Sequence, residues 1–529
     1  MEVKMQLNRQ VSKMLKNMEN MVSSINYIDF QQFAGELADL RKRLEEPLRV
    51  AIVGVMKAGK STLMNAILKE KILYTNTLEA TYTVSWFRYG EQPKLLIVMK
   101  DGHEFTAPFE ELERWTVRPK DQETTEIDEV KHVVIYYPNE ILKIMELIDT
   151  PGLESTFQTD SNNTLSFLGQ KLEKEANRMT SETASQAEAI VYAFSRGANG
   201  KDAEVLDAFR GDSAKNSSPI NAVGIFTKVD VYWDAVRAAE KNPFDLVKPA
   251  LDGYKLSLRD RLYTILPVIA KPVETISEIT DEVFDILLRL SLLDTSILME
   301  FLMDAFMFIN EPEDSDMTIS CSDRKKVLDL FGQYGIYQIT NALKKGITRS
   351  YLADYLYELC GIEKAAHMIQ SHFGNRAFLI KLDYVLKRIH TIAIEKKHQN
   401  INNLQQFRVC ERICEDIEKL REEEQAFREL ELLQLYYNGG ITFTDEKQEL
   451  QFLELTGEYG SSCEYRLGFC KISSLKEMKK EAMKRSKYWN SIYQDWCTPD
   501  SLKKVASVLM RSCDILFYHL DMLSGFEED

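Results

Sequence analysis

GVMKAGKS, residues 54–61, follows an apolar run (Arg49–Val53) and opens a stretch of helical character (Ser61–Leu68). The octapeptide satisfies G-x-x-x-x-G-K-[ST], and a strand before it with a helix after it is the setting in which that pattern means phosphate binding. Glycine at 54 and 59 lets the backbone curl so that successive N–H groups face phosphate oxygens, with the dipole of the next helix behind them. Lys60 can then reach the β- and γ-phosphates of a nucleotide, and the Ser61 hydroxyl can ligate Mg2+. Average glycine usage makes a chance match rare.

Two further strand ends carry matching chemistry. Asp149-Thr150-Pro151-Gly152 closes the apolar run Lys143–Asp149. An aspartate there can hold the Mg2+ shell while the Gly152 amide meets a γ-phosphate, so the segment can sense the nucleotide. Asp-x-x-Gly alone is a common turn; its place on a second strand gives it weight. Thr227-Lys228-Val229-Asp230 follows the run Ala222–Phe226. A carboxylate at 230 can accept both N1–H and N2–H of guanine, a pair adenine does not offer, and the Lys228 stem can lie along the base. Ile269-Ala270-Lys271, after the last predicted strand, is a weaker element: a backbone amide there can meet the guanine O6, yet by itself it reads as an ordinary loop. Thr75, Thr77, Thr81 and Thr83 fall between the first helix and the next strand. One of them should meet Mg2+ and the γ-phosphate from a switch loop, and position alone does not choose.

Strand-like runs recur at Arg49–Val53, Thr83–Arg88, Leu95–Val98, His132–Tyr137, Lys143–Asp149, Ala189–Ser195, Ala222–Thr227 and Leu266–Ala270. Helical stretches separate several of them, which predicts a mostly parallel α/β sheet over 47–275, with an antiparallel hairpin turning at Asp101-Gly102. Ahead of it, Val11, Leu15, Met18, Val22 and Ile25, then Phe33, Leu37, Leu40 and Leu44, repeat at three-to-four spacing, so 5–46 reads as helix up to Pro47. Beyond about residue 275, Leu, Glu and Lys dominate and 276–529 reads as all-α, with long helices at Arg376–His398 and Leu404–Tyr437 and an aromatic glycine break at 436–443. The Met-rich segment Ile297–Ile309 has the spacing of a core helix. Lys471–Trp489 carries seven Lys or Arg over the strip Leu475, Met478, Ala482 and Trp489. That pattern suits a membrane-surface helix, and better a core-facing helix with a solvated basic back.

Composition narrows the classes. A chain of 529 residues exceeds one hydrophobic core, and 44% apolar content is ordinary for a folded soluble protein. With 66 basic against 82 acidic side chains, the formal charge of -16 disfavours nucleic acid as a partner. MEVKMQLNRQ has no apolar h-region, so no signal peptide is expected, and no apolar run suggests a membrane-spanning helix. Eight cysteines are scattered; Cys410 and Cys414 lie one turn apart with no His to complete a zinc site, so reduced thiols are expected.

These motifs resemble the dynamin superfamily, particularly bacterial dynamin-like proteins related to the isoniazid-inducible group. GVMKAGKSTLMNAIL (54–68), DTPGLES (149–155) and TKVD (227–230) carry the resemblance, with Thr in place of Asn ahead of Lys-x-Asp. It extends more faintly through VLDLFGQYGIYQI (327–339), FGNRAFLIKLDYVL (373–386) and AMKRSKYWNSIYQDW (482–496). The resemblance implies a P-loop GTPase head that binds GTP or GDP with Mg2+ and is stimulated by head-to-head dimerisation. It also implies an elongated all-α neck and trunk (276–529), against which helices 1–46 pack back. Among the threonines it selects Thr81. Its nucleotide set comprises Gly54, Lys57, Ala58, Gly59, Lys60, Ser61 and Thr62 in the P-loop, Asp149 and Gly152, then Thr227, Lys228, Asp230, Ala270 and Lys271 around the base. Ser61, Thr81 and Asp149 would face the metal; Lys57, Lys60, Thr81 and Gly152 would act on the phosphates.

One departure concerns Lys57, which stands where eukaryotic dynamins carry a Ser that helps place a charge-balancing monovalent cation. The Lys57 ammonium is expected to fill that role itself; the plain alternative is a side chain turned to solvent or to an acidic neighbour. Leu153, not Gln, follows Gly152, so water must be positioned by backbone, Thr81 or another group, as is usual in the family. The expected partner is a second copy through the GTPase domains, or a paralogous chain. The expected location is cytoplasmic, with the inner face of the cell membrane as a peripheral surface. Two other functions share the same site: a soluble GTP-dependent switch whose helices bind a protein partner without touching lipid, and an assembly subunit with negligible turnover.

Overall fold

The computed structural model describes residues 2–54, 57–73, 75, 83–117, 126–150, 187–195, 206, 221–233, 242–275, 279–310, 319–443, 445–469 and 473–525. The chain divides into two compact units: Arg49–Ala214 with Asn221–Ile369, and Met1–Leu48 with Lys215–Ile220 and Gln370–Asp529.

Ahead of the first strand stand α1 (Glu2–Ser23) and α2 (Ile28–Arg43). The expected helix over 5–46 is thus two helices. The Gln31 amide donates to the Ser23 and Ile25 carbonyls, closing the turn between them.

Among the described residues, the α/β unit holds one nine-stranded sheet in the order β4-β3-β5-β2-β6-β1-β7-β8-β9. Its strands are β1 (Leu48–Val53), β2 (Ser85–Tyr89), β3 (Lys94–Met99), β4 (Glu104–Ala107), β5 (Val130–Tyr137), β6 (Met145–Asp149), β7 (Ala189–Phe194), β8 (Ala222–Phe226) and β9 (Ile265–Pro267). β1, β7, β8 and β9 run parallel, with Val50 opposite Ala189 and Ile190 opposite Ala222. Every residue of β6, β7 and β8 is buried, as strands covered on both faces must be. The other half is mixed: β2 is antiparallel to β6 and parallel to β5, and β3 is antiparallel to both β5 and β4. The β3–β4 hairpin turns as expected at Asp101-Gly102, where the Asp101 carboxylate accepts the His103 N–H and Gly102 adopts φ +90°.

Helix α3 (Lys60–Leu68) follows β1, and the one-turn helix α4 (Lys271–Glu274) follows β9. Helices α5 (Cys321–Lys344) and α6 (Arg349–Leu359) belong to the same unit. They sit close to the end of the sheet: the Ile269 N–H donates to the Cys360 carbonyl at 3.0 Å. The expected core segment 297–309 is instead two short helices parted near Asp304, whose carboxylate accepts the Phe306 and Met307 N–H groups. Leu298, Leu302 and Phe308 are buried, whereas Met303, Phe306 and Met307 are exposed.

The second unit is helical. α7 (Ala377–Gln399) meets the N-terminal helices: the Lys381 ammonium donates to the Leu44 and Glu46 carbonyls, which end α2. The expected helix 404–437 is two, α8 (Leu404–Glu423) and α9 (Gln425–Tyr437), broken at Glu424. Glu424 leaves the helical path (φ −76°, ψ 116°), and the side-chain amide of Gln425, which opens α9, donates to the Val508 carbonyl (2.7 Å) and the Ser512 hydroxyl (3.0 Å). Tyr436 packs on Phe443 and Phe452, so the glycine break after α9 is an aromatic turn folded onto its neighbours. α10 (Leu475–Gln494) and α11 (Asp500–Gly525) form an antiparallel hairpin, with Lys479 paired to Asp521 and Ser486 to Asp514. Met478, Ala482 and Trp489 are buried, so the strip on α10 faces the core; Lys476, Lys480, Lys484 and Lys487 face water, whereas Arg485 is buried and paired with Glu454 and Glu481.

Candidate functional site

The loop from β1 to α3 is shaped by two glycines with different needs. A Cβ on Gly54 would lie 2.1 Å from the Ala193 carbonyl oxygen at the end of β7, so no side chain fits. Gly59, the N-cap of α3, holds φ +84°, which glycine adopts without penalty. Lys57 is also left-handed at φ +61° with its side chain exposed. For a residue with a Cβ that conformation costs about 1 kcal/mol, and such residues collect at ligand clamps. Lys60 is 7% exposed, and its ammonium donates to the Gly54 carbonyl at 3.2 Å. Burial lowers its pKa to about 8, with the charge on Asp149 pulling it back up.

Ser61, on the first turn of α3, donates through its hydroxyl to Asp149 Oδ2 at 2.9 Å. Asp149 ends β6 and is fully buried, and the Thr150 hydroxyl donates to the Ile52 carbonyl of β1 at 2.8 Å. A hydroxyl and a carboxylate converging beside a helix N-terminus are oxygen donors of the kind Mg2+ takes, so this pair fits the ion. Thr62 stands beside them on α3, half-buried, with its hydroxyl bonded to Glu274.

At the end of β8, the Thr227 hydroxyl lies 2.6 Å from the Ala58 carbonyl and 3.2 Å from that of Phe194. It therefore ties the P-loop to the base-side loop, a role that spacing along the chain did not reveal. Lys228 adopts φ +58°, and its Cε would lie 3.9 Å from a Cβ on Gly59, so its stem crosses the P-loop glycine. Burial raises the pKa of Asp230, while its own backbone amide, Lys271 and Lys228 draw it down. Ala270 and Lys271 start α4, bringing the last motif alongside. The four segments thus meet at the carboxyl ends of β1, β6, β8 and β9, where α/β sheets bind ligands. Thr81 and Gly152 lie outside the described residues. Of the other threonines, Thr75 bonds Glu274 and Thr83 is buried just before β2.

Residues 50–229 match the sequence profile of the Dynamin family. Isoniazid-induced protein IniC of Mycobacterium tuberculosis is 24% identical over 455 residues, 86% of this chain and 86% of that one. Dynamin-like protein 2 of Campylobacter jejuni is 30% identical over 133 residues, 25% of this chain and 20% of that one. Among solved structures, a chain from an oligomerised bacterial dynamin pair, described as a mechanism for the long-range sensing and tethering of membranes, matches 98% of this chain and 91% of its own length. Its identity is 15% and its TM-score 0.30.

Proposed function

We propose that this chain, a bacterial dynamin-like GTPase, hydrolyses GTP across these four strand ends and couples nucleotide-dependent dimerisation to self-assembly or membrane remodelling. The observation that carries the proposal is the convergence of Lys60, Ser61 and Asp149 at one end of the sheet, with Thr227 linking them to Asp230.

In this proposal the P-loop N–H groups and the Lys60 ammonium bind the β- and γ-phosphates. Ser61 and Asp149 hold Mg2+, which when bound neutralises charge on those phosphates. Asp230 accepts the two guanine N–H groups, Lys228 covers the base, and the loop at Ala270-Lys271 meets its O6. The sensor threonine is Thr81: Thr75 is bonded to Glu274, and the family resemblance selects Thr81 over Thr77 and Thr83. Gly152 would present its amide to the γ-phosphate. Lys57, exposed on a strained backbone, would lean its ammonium over the phosphates as charge builds there.

The membrane half of the proposal draws on Trp496. It is 95% exposed at the tip of the α10–α11 hairpin, with Tyr493 also exposed. An aromatic ring standing in water at a hairpin tip suits the headgroup level of a bilayer. Among the described residues no helix is long and apolar enough to cross a membrane.

Base recognition can be tested by Asp230→Asn. An amide replaces one acceptor with a donor, which mismatches guanine and matches the C2 carbonyl of xanthine. GDP affinity should fall by about a hundredfold or more and xanthosine diphosphate affinity should rise. Unchanged GDP binding would remove Asp230 from the site.

A further inference from the structure

Behind the nucleotide site lies a buried cluster to which the proposed reaction assigns no role. Asn65, on α3, is fully buried and uses its whole amide. Its Nδ2 donates to the Leu73 carbonyl (2.8 Å) and to Glu274 Oε1 (3.0 Å), while its Oδ1 accepts the Ile72 and Leu73 N–H groups at 3.0 and 2.8 Å. Glu274, at the end of α4, is 3% exposed and also takes hydrogen bonds from the hydroxyls of Thr75 and Thr62, with Lys71 nearby. Burial raises its pKa, and each of these partners works against the rise. Such a network is stable only when its donors and acceptors are matched, which makes its geometry specific.

Three segments assigned to the nucleotide meet at that one carboxylate. Thr62 and Asn65 stand on the helix that starts at the P-loop, α4 starts beside the base at Lys271, and Thr75 opens the segment that contains Thr81. The next residue, Thr275, places its hydroxyl 3.1 Å from the Lys271 carbonyl and 3.0 Å from that of Leu330 on α5. Two residues further on, α5 leaves helical geometry at Gly332 (φ 67°, ψ 171°).

We infer that Glu274 is a positioning residue for hydrolysis. By holding Thr75 directly, and Ile72 and Leu73 through Asn65, it fixes the chain that leads from α3 to the segment carrying the sensor threonine. The inference rests on residues 54–61 and 227–230 forming a GTP site. GDP has no γ-phosphate and does not draw on this segment, whereas turnover does, so the anchor should act on the reaction and spare GDP affinity.

Two nearly isosteric variants test it in the full-length chain. Glu274→Gln turns one acceptor into a donor facing other donors, and Thr75→Val removes the hydroxyl. Each should lower kcat about tenfold while leaving KM and the GDP dissociation constant within about twofold. The double variant should be no slower than either single one, because both cut the same link. Thr75→Ser should restore the rate. Normal kcat in Thr75→Val overturns the inference, and so does a double variant whose losses multiply. GDP affinity and Tm falling in step with kcat would mean a merely structural role and would overturn it too. If Glu274→Gln does not fold, Thr75→Val decides alone. A wild-type chain that binds no GDP, or binds it as well after Lys60→Ala, instead sinks the GTP-site proposal; a normal wild type with an unaffected Thr75→Val sinks only this inference.

Discussion

Lys60 keeps its ammonium in a buried place where its pKa falls from 10.5 to about 8. The unfolded chain therefore binds more protons than the folded one between those values, and this group's contribution to stability rises with pH across that window. Nucleotide binding has the opposite sign, because phosphates favour the charged amine. GDP affinity should hold below pH 8 and weaken above it, the dissociation constant rising about tenfold from pH 7 to pH 9. Lys60→Met should bind more weakly and without that slope; the same slope in the variant would assign the titration to another group. Lys57 makes the complementary prediction. Lys57→Ala should lose about tenfold or more in kcat with GDP binding intact, and wild-type turnover in that variant would end its catalytic role. The pattern of glycines and Lys60-Ser61 was legible because each residue type answers a local need. The Ala193 carbonyl that leaves no room for a Cβ on Gly54 and the reach of Thr227 to Ala58 were not, since both depend on which strands lie side by side.

At the scale of elements, most strands were legible to within a residue or two because buried β-runs are short, apolar and bounded, whereas β9 ends three residues before the expected Ala270. β6 starts two residues later than expected because Glu140–Lys143 makes a 3-10 turn in which Asn139 Oδ1 accepts the Ile141 N–H. Helix breaks were less legible. Neither Glu424 nor the Ser24–Tyr27 turn carries glycine or proline, and both breaks are set by side chains, Gln425 and Gln31, that bond beyond their own helix. The strip on α10 was legible as a core face. Trp496, seven residues past Trp489 in a polar turn, gave no periodic signal. Trp496→Ser should reduce co-sedimentation with anionic liposomes by about tenfold and leave lipid-free GTP turnover unchanged. Equal pelleting of the two proteins would remove the hairpin tip from membrane contact, and pelleting no better than a soluble control would favour a switch that binds protein partners.

For the whole molecule, the change in sequence texture near residue 275 marks where strands stop, whereas the sheet-bearing unit continues to Ile369. The helices in between stay on the sheet because its base-side end bonds to them. The Ile269 N–H meets the Cys360 carbonyl, the Thr275 hydroxyl lies 3.0 Å from the Leu330 carbonyl, and Trp233 lies 5.5 Å from the Tyr337 ring. The loops proposed to recognise guanine are thus braced by α5 and by the chain just after α6, helices that were expected to lie apart from the head. We propose that pairing of two such heads drives hydrolysis. The direct measurement is GTP turnover by the purified full-length chain across a wide range of protein concentration, with Lys60→Ala as the control. If pairing drives turnover, specific activity rises with concentration and vanishes in Lys60→Ala. Specific activity that stays at one slow level at every concentration would contradict it.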